Sequence, residues 1–173
     1  MRTFISIDLS IEVKNEIRKI QNSLPDFIGK KTEFENLHLT LKFLGEIDER
    51  KVDEVRKRLF SIKINDFDTE IDSIGIFSEN FIRIVWLHIK GAEQLQKAID
   101  DVLGDIFQPE ARFMSHITIA RVKNIKDKKE FLKELKKIKI PEIRFNVSSF
   151  NLKKSELSQK GPIYDIIEEF RLS

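Results

Sequence analysis

The chain has 173 residues, 40% of them hydrophobic and 14 of them Phe, which is enough for one substantial core. Charged residues make up 35%, 31 basic against 29 acidic for a formal net charge of +2, and this near-balance excludes the concentrated basic field that grips long nucleic acid while leaving room for a substrate held at one phosphate or at an RNA end. With no cysteine, disulfides, thiolate metal sites and cysteine nucleophiles are excluded together, and with no apolar run near the roughly 20 residues of a membrane span and no signal-peptide pattern at the amino terminus, a soluble cytoplasmic monomer is expected.

Phe4 to Leu9 alternates as a strand does, and Val13, Ile17, Ile20 and Leu24 then follow at helical spacing until Pro25 stops them. After a loop around Gly29 come a strand from Leu37 to Leu44, a turn at Gly45 and a helix carrying Val52, Val55 and Leu59. Phe67 to Phe77 reads as the next strand. The order then begins again: a strand from Phe81 to Ile89, a helix with Leu95, Ile99, Val102 and Ile106, a strand from His116 to Val122, a helix with Phe131, Leu135 and Ile138, and a strand from Ile143 to Leu152. The pattern predicts an α+β fold made of bilobal duplicated βαβαβ units with pseudo-twofold symmetry, the sheets lining a central cleft and the helices outside. Residues 1–173 form a single bilobal domain in this reading, with pseudo-repeats over about 1–78 and 79–173, since no Pro/Gly/Ser linker separates the halves.

One phrase occurs in both halves: His38-Leu39-Thr40-Leu41 and His116-Ile117-Thr118-Ile119. Residues two apart on a strand share a face about 6.5 to 7 Å apart, so each phrase offers an imidazole and a hydroxyl side by side with aliphatic residues behind them. Imidazole moves protons near neutral pH, and a hydroxyl binds an anionic oxygen without adding charge. A lone strand histidine is usually structural. Two of the chain's three histidines in the same setting point instead to a symmetric site for a phosphodiester, with His38 and His116 as acid and base and Thr40 and Thr118 on the phosphate oxygens.

Lys42 and Arg121 are the cations nearest these motifs. Parity puts Lys42 on the face of His38 and Thr40, although a solvated charge at a strand end is the slightly commoner role; it puts Arg121 on the face opposite His116, so that a bulge would have to bring it round. Phe43 and Tyr164 are candidates to stack a base, with core packing the commoner fate for Phe43 because it alternates with Leu39 and Leu41. His88 has no Thr two residues on and reads as structural or surface. The lysine run from 123 to 139 is interleaved with Asp127, Glu130 and Glu134 and reads as a solvated helix face. Neither a His-Glu-x-x-His motif nor a Gly-rich phosphate loop is present, so no metal, cofactor or nucleoside triphosphate is expected.

Taken with their flanks, these residues resemble the two-histidine (2H) phosphoesterase superfamily, and within it the RNA 2′,3′-cyclic phosphodiesterase branch, historically named 2′-5′ RNA ligase. The similarity runs end to end: Arg2 to Asp8, Glu35 to Glu46, His116 to Arg121, Ser155 to Leu157 and Gly161 to Tyr164. It implies hydrolysis of RNA 2′,3′-cyclic phosphate ends, or of small cyclic-phosphate nucleotides, to 2′-phosphates, with His38 as the acid at ribose O3′ and His116 as the base on water. It also marks Arg121 as a phosphate ligand. The alternatives are 2′-5′ RNA ligation in the same site, or a module that binds RNA ends or nucleotides without chemistry.

Overall fold

A computed structural model describes residues 1–173. In chain order the elements are β1 (Arg2–Asp8), α1 (Ile11–Asn22), β2 (Ile28–Lys31), a 3-10 turn (Phe34–Asn36), β3 (His38–Glu46), α2 (Glu49–Leu59) and β4 (Phe67–Ile76). They continue with β5 (Ile84–Lys90), α3 (Glu93–Leu103), β6 (His116–Asn124), α4 (Lys128–Lys137), β7 (Ile143–Val147), β8 (Ser149–Ser158) and β9 (Gly161–Arg171). Three helices begin at a side chain that accepts a hydrogen bond from an otherwise unpaired backbone N–H: Ser10 from Val13, Asp48 from Lys51 and Asp127 from Glu130. Their buried residues are the predicted apolar stripes, Val13, Ile17 and Ile20 on α1 and Val52, Val55 and Leu59 on α2.

The strands form two antiparallel sheets, one in the order β3-β1-β8-β9 and the other β2-β6-β5-β4-β7. The sheets do not follow the sequence halves. Strands β2 and β4, from the first half, complete the second sheet, whereas β8 and β9, from the second half, complete the first. The helices cross over as well: α1 packs on β6 and β7, and α3 packs on β3. Both sheets and their helices share one cluster of 33 buried hydrophobic residues, in which each fully buried Leu or Ile stabilises the fold by roughly 1.5 to 3 kcal/mol.

Three differences from the sequence reading have local causes. The run from Ile143 to Leu152 breaks at Ser148, where the chain leaves one sheet for the other. Strand β2 lies where a loop was expected: all four residues are exposed with no alternation to read, and pairing with β6 alone makes it a strand. Its Gly29 is required, with φ at 154° and a backbone so close to β6 that a Cβ would collide with the Arg121 carbonyl. Strand β9 carries Pro162 and is an edge strand, the place in a sheet where a residue without an N–H is tolerated.

Candidate active site

Strands β3 and β6 come from different sheets and approach each other directly. Their nine positions have the same burial pattern. His38 and Thr40, like His116 and Thr118, are half-buried on the cleft side, while Leu39, Leu41, Ile117 and Ile119 are in the core. The apolar residues of each phrase thus fix the strand, and the alternation turns the imidazole and hydroxyl outward.

Both imidazoles are oriented from behind. His38 Nδ1 lies 2.7 Å from the Asn36 carbonyl oxygen and His116 Nδ1 lies 2.7 Å from that of Met114. A carbonyl can only accept, so each ring carries its proton on Nδ1 and presents Nε2. His38 Nε2 is 2.9 Å from Thr40 Oγ1, whose hydroxyl donates to the neutral ring. Burial lowers the His38 pKa to about 4; the Asn36 hydrogen bond and Asp8 oppose that shift, and the cations of Lys153 and Arg121 add to it. An aromatic edge braces each ring: Tyr164 stands 5.2 Å from His38 at 81° and Phe77 stands 5.2 Å from His116 at 87°.

Beyond the two threonines each strand bulges, and the bulges decide where the neighbouring cations go. Thr40 pairs with Ser6 and Lys42 with Ile5, leaving Leu41 as the extra residue; Thr118 pairs with Trp86 and Ala120 with Val85, leaving Ile119 extra. The alternation is reset by one. Lys42 therefore does not share the cleft face with His38, contrary to the parity expectation. It is 2% exposed, and its amine donates to Asp100 Oδ1 at 2.6 Å and to the Gln108 carbonyl at 2.8 Å. Asp100 Oδ2 accepts in turn from Gln96 Nε2 and from the Glu110 N–H. Lys42 is thus tied to α3 and to the segment leading into β6, and is withdrawn from the candidate substrate contacts.

The same reset turns Phe43 and Arg121 outward. Phe43 is 69% exposed, so core packing is not its role. Burial is the larger effect on Tyr164 and raises its pKa. Arg121 lies close enough to His38 and to Tyr164 for its charge to pull the pKa of both downward, which places a second-sheet cation at a first-sheet histidine. The bulge in β6 is held by Gln21 of α1, whose Nε2 donates to the Ile119 carbonyl at 2.9 Å and to the Thr32 carbonyl at 3.0 Å. No three His, Asp or Glu side chains converge with metal-ligand geometry.

The sequence pattern of the LigT like Phosphoesterase family matches this chain twice, over residues 7–86 and 88–164. The chain belongs to that family. It is 35% identical over 175 residues to an RNA 2′,3′-cyclic phosphodiesterase of Methanocaldococcus jannaschii, covering 98% of this chain and 100% of that one, and 35% identical over 179 residues to one of Thermotoga maritima, covering 98% and 94%. Among solved structures it is similar to TT0787 of Thermus thermophilus, with a TM-score of 0.78 and 27% identity over 99% of this chain and 98% of that one. It is also similar to E. coli LigT complexed with phosphate, with a TM-score of 0.76 and 25% identity over 99% and 97%.

In this LigT-like frame several site neighbours escaped the sequence reading. Asn36 orients His38 through its carbonyl, while its side chain donates to the Pro162 carbonyl at 3.0 Å, two residues before Tyr164. Asp8 is the cross-strand partner of His38; it is paired with Lys153 and accepts from Asn151 Nδ2 at 3.0 Å. A signal for Asp8 existed, since alternation from Phe4 puts Phe4, Ser6 and Asp8 on one face. Phe77, expected as the last residue of a strand, lies one residue past the end of β4, and its contact with His116 exists only in three dimensions.

Proposed function

We propose that this LigT-like phosphoesterase hydrolyses RNA 2′,3′-cyclic phosphate ends to 2′-phosphates, with His38 and His116 as its acid–base pair. The observation that carries this reading is the pair of imidazoles on approaching strands, each with Nδ1 bound to a carbonyl and Nε2 presented. The relatives described above, named for this activity and aligned over nearly the whole chain, support it.

His116 Nε2 takes a proton from water as the oxygen attacks phosphorus opposite O3′. The P–O3′ bond breaks, and His38 Nε2 delivers a proton to the departing oxygen, so the hydroxyl of water ends on phosphorus and one proton ends on O3′. Each acid or base is worth roughly 10² to 10⁴ in rate. As an acid His38 must be charged, yet burial keeps it neutral in the free site. A phosphate monoanion beside the ring favours the imidazolium, so the substrate itself charges the acid. The hydroxyls of Thr40 and Thr118 and the Arg121 guanidinium hold the non-bridging oxygens, and Tyr164 and Phe43 frame the terminal nucleotide. Both histidines are on one chain and both pseudo-repeats contribute, so a monomer acting as one domain suffices. RNA ends as substrate put its work in the cytoplasm.

The test is incubation of the purified protein in EDTA with an oligonucleotide ending in a 2′,3′-cyclic phosphate, with the products resolved by regiochemistry. A 2′-phosphate is the expected product. Tight binding without turnover makes the chain a binding module, and a 2′-5′ linked product on adding a 5′-hydroxyl acceptor makes it a ligase.

A further inference from the structure

A third histidine stands beside the pair. His88 of β5 is the direct cross-strand partner of His116, and directly opposed residues in an antiparallel pair project from the same face, about 5 Å apart from strand to strand. It is therefore on the cleft side of the second sheet, half-buried, one strand beyond His116. Its Nδ1 is 2.6 Å from Asp72 Oδ1, and the same carboxylate oxygen accepts from Ser73 Oγ at 3.3 Å.

The local backbone is shaped for that contact. Asp72 is the extra residue of a bulge in β4, between Ile71 paired with Ile89 and Ser73 paired with His88. The bulge gives Asp72 to the His88 side of the sheet. Lys90 follows two residues along β5 and is exposed, a second cation on this face. In the first sheet the corresponding place opposite His38 is held by Asp8, already committed to Lys153 and Asn151. Only the His116 side has an imidazole there, with Nε2 free of protein partners.

We propose that His88, held by Asp72, binds the phosphodiester immediately 5′ of the cyclic-phosphate nucleotide, so that the enzyme selects an RNA chain end over a free nucleoside cyclic phosphate. The inference rests on the hydrolase reading above. One imidazole N–H goes to Asp72 and the other to a phosphate oxygen, a charge-assisted contact with a carboxylate behind it. The separation of His88 from His116 is close to one step along a sugar–phosphate backbone.

The experiment measures kcat/KM on a short oligonucleotide with a 2′,3′-cyclic phosphate end and on the matching nucleoside 2′,3′-cyclic phosphate. For His88→Ala the oligonucleotide-to-nucleoside ratio falls about tenfold, through KM, and Asp72→Asn shifts it the same way by less. A neutral methylphosphonate at the penultimate linkage lowers kcat/KM of the unaltered enzyme similarly, and His88→Ala adds no further loss on that substrate. An equal effect of His88→Ala on both substrates, or a methylphosphonate that leaves the unaltered enzyme unaffected, overturns the proposal. The second measurement needs no variant and keeps the proposal open to refutation even where His88→Ala fails to fold. An unaltered protein that opens neither cyclic phosphate overturns the hydrolase reading instead.

Discussion

Strands β3 and β6 match in burial at every one of nine positions, and each bulges after its threonine, yet the residues that the bulges turn differ in kind. Toward the cleft, β3 sends Phe43 and β6 sends Arg121; toward the core, β3 sends Lys42 and β6 sends Ala120. The core sides are then secured differently, Lys42 by the Asp100 carboxylate of α3 and the Ile119 carbonyl by the Gln21 amide of α1. Duplication supplied two equivalent frames. The two frames are dressed differently: β3 turns an apolar ring toward the cleft where β6 turns a cation. In the proposed mechanism, acid and base are therefore told apart by the surroundings of each imidazole, not by the fold.

The hardest blow to this picture is to remove one imidazole. His38→Ala or His116→Ala is expected to lower kcat by about 10² to 10⁴ or more, with an unchanged circular dichroism spectrum. A variant that keeps near-normal turnover refutes the two-histidine mechanism. The two anchors come next. Lys42→Ala leaves the enclosed Asp100 carboxylate charged and without its cation, held only by Gln96 and the Glu110 N–H, and denaturant unfolding should register a loss of about 3 to 5 kcal/mol; Gln21→Ala, which removes an uncharged donor, should cost about 1 to 3 kcal/mol.

The His38 pKa gives a smaller effect of fixed sign. The unfolded chain takes up its proton near pH 6.5 and the folded chain only near 4, so unfolding binds a proton between these values. Stability is therefore complete above pH 6.5 and declines as pH falls toward 4, by roughly 3 kcal/mol in all at about 1.4 kcal/mol per pH unit. Denaturant midpoints across this range should show the decline in the unaltered protein and a flatter profile in His38→Ala. The smallest effects sharpen the contrast across the cleft. Arg121→Ala should lower kcat/KM about 10- to 100-fold with incomplete rescue by Lys, which lacks the planar fork. Phe43→Ala should raise KM only a few-fold, consistent with about 1 kcal/mol or a little more for stacking on an exposed ring.

What could be read in the sequence followed periodicity. The apolar stripes of α1 and α2, the strands of both motifs and the pairing of His38-x-Thr40 with His116-x-Thr118 all stand in the one-dimensional pattern, because burial imposes a period of two or about 3.6 on the residue types. Lys42 was misplaced by the same logic, and Arg121 reaches the cleft only through the bulge that its role required: a bulge inserts one residue into the count, and nothing in Leu39-Thr40-Leu41-Lys42 marks where the count slips. Strands β2 and β9 depend on partners far along the chain. Asn36 was visible as part of a resembling flank, but its double hold on His38 and on the chain before Tyr164 exists only in three dimensions.

The exchange of strands between the sheets also limits how the molecule can move. The chain passes from one sheet to the other at β1 to β2, β2 to β3, β3 to β4 and β7 to β8, so any jaw-like swing would have to strain every one of these four tethers together. On the proposed reading, an oligonucleotide terminus docks against the exposed rings of Phe43 and Phe77, which can turn without any movement of the tethered sheets. A product then leaves such a groove by side-chain movement and not by the opening and closing of halves.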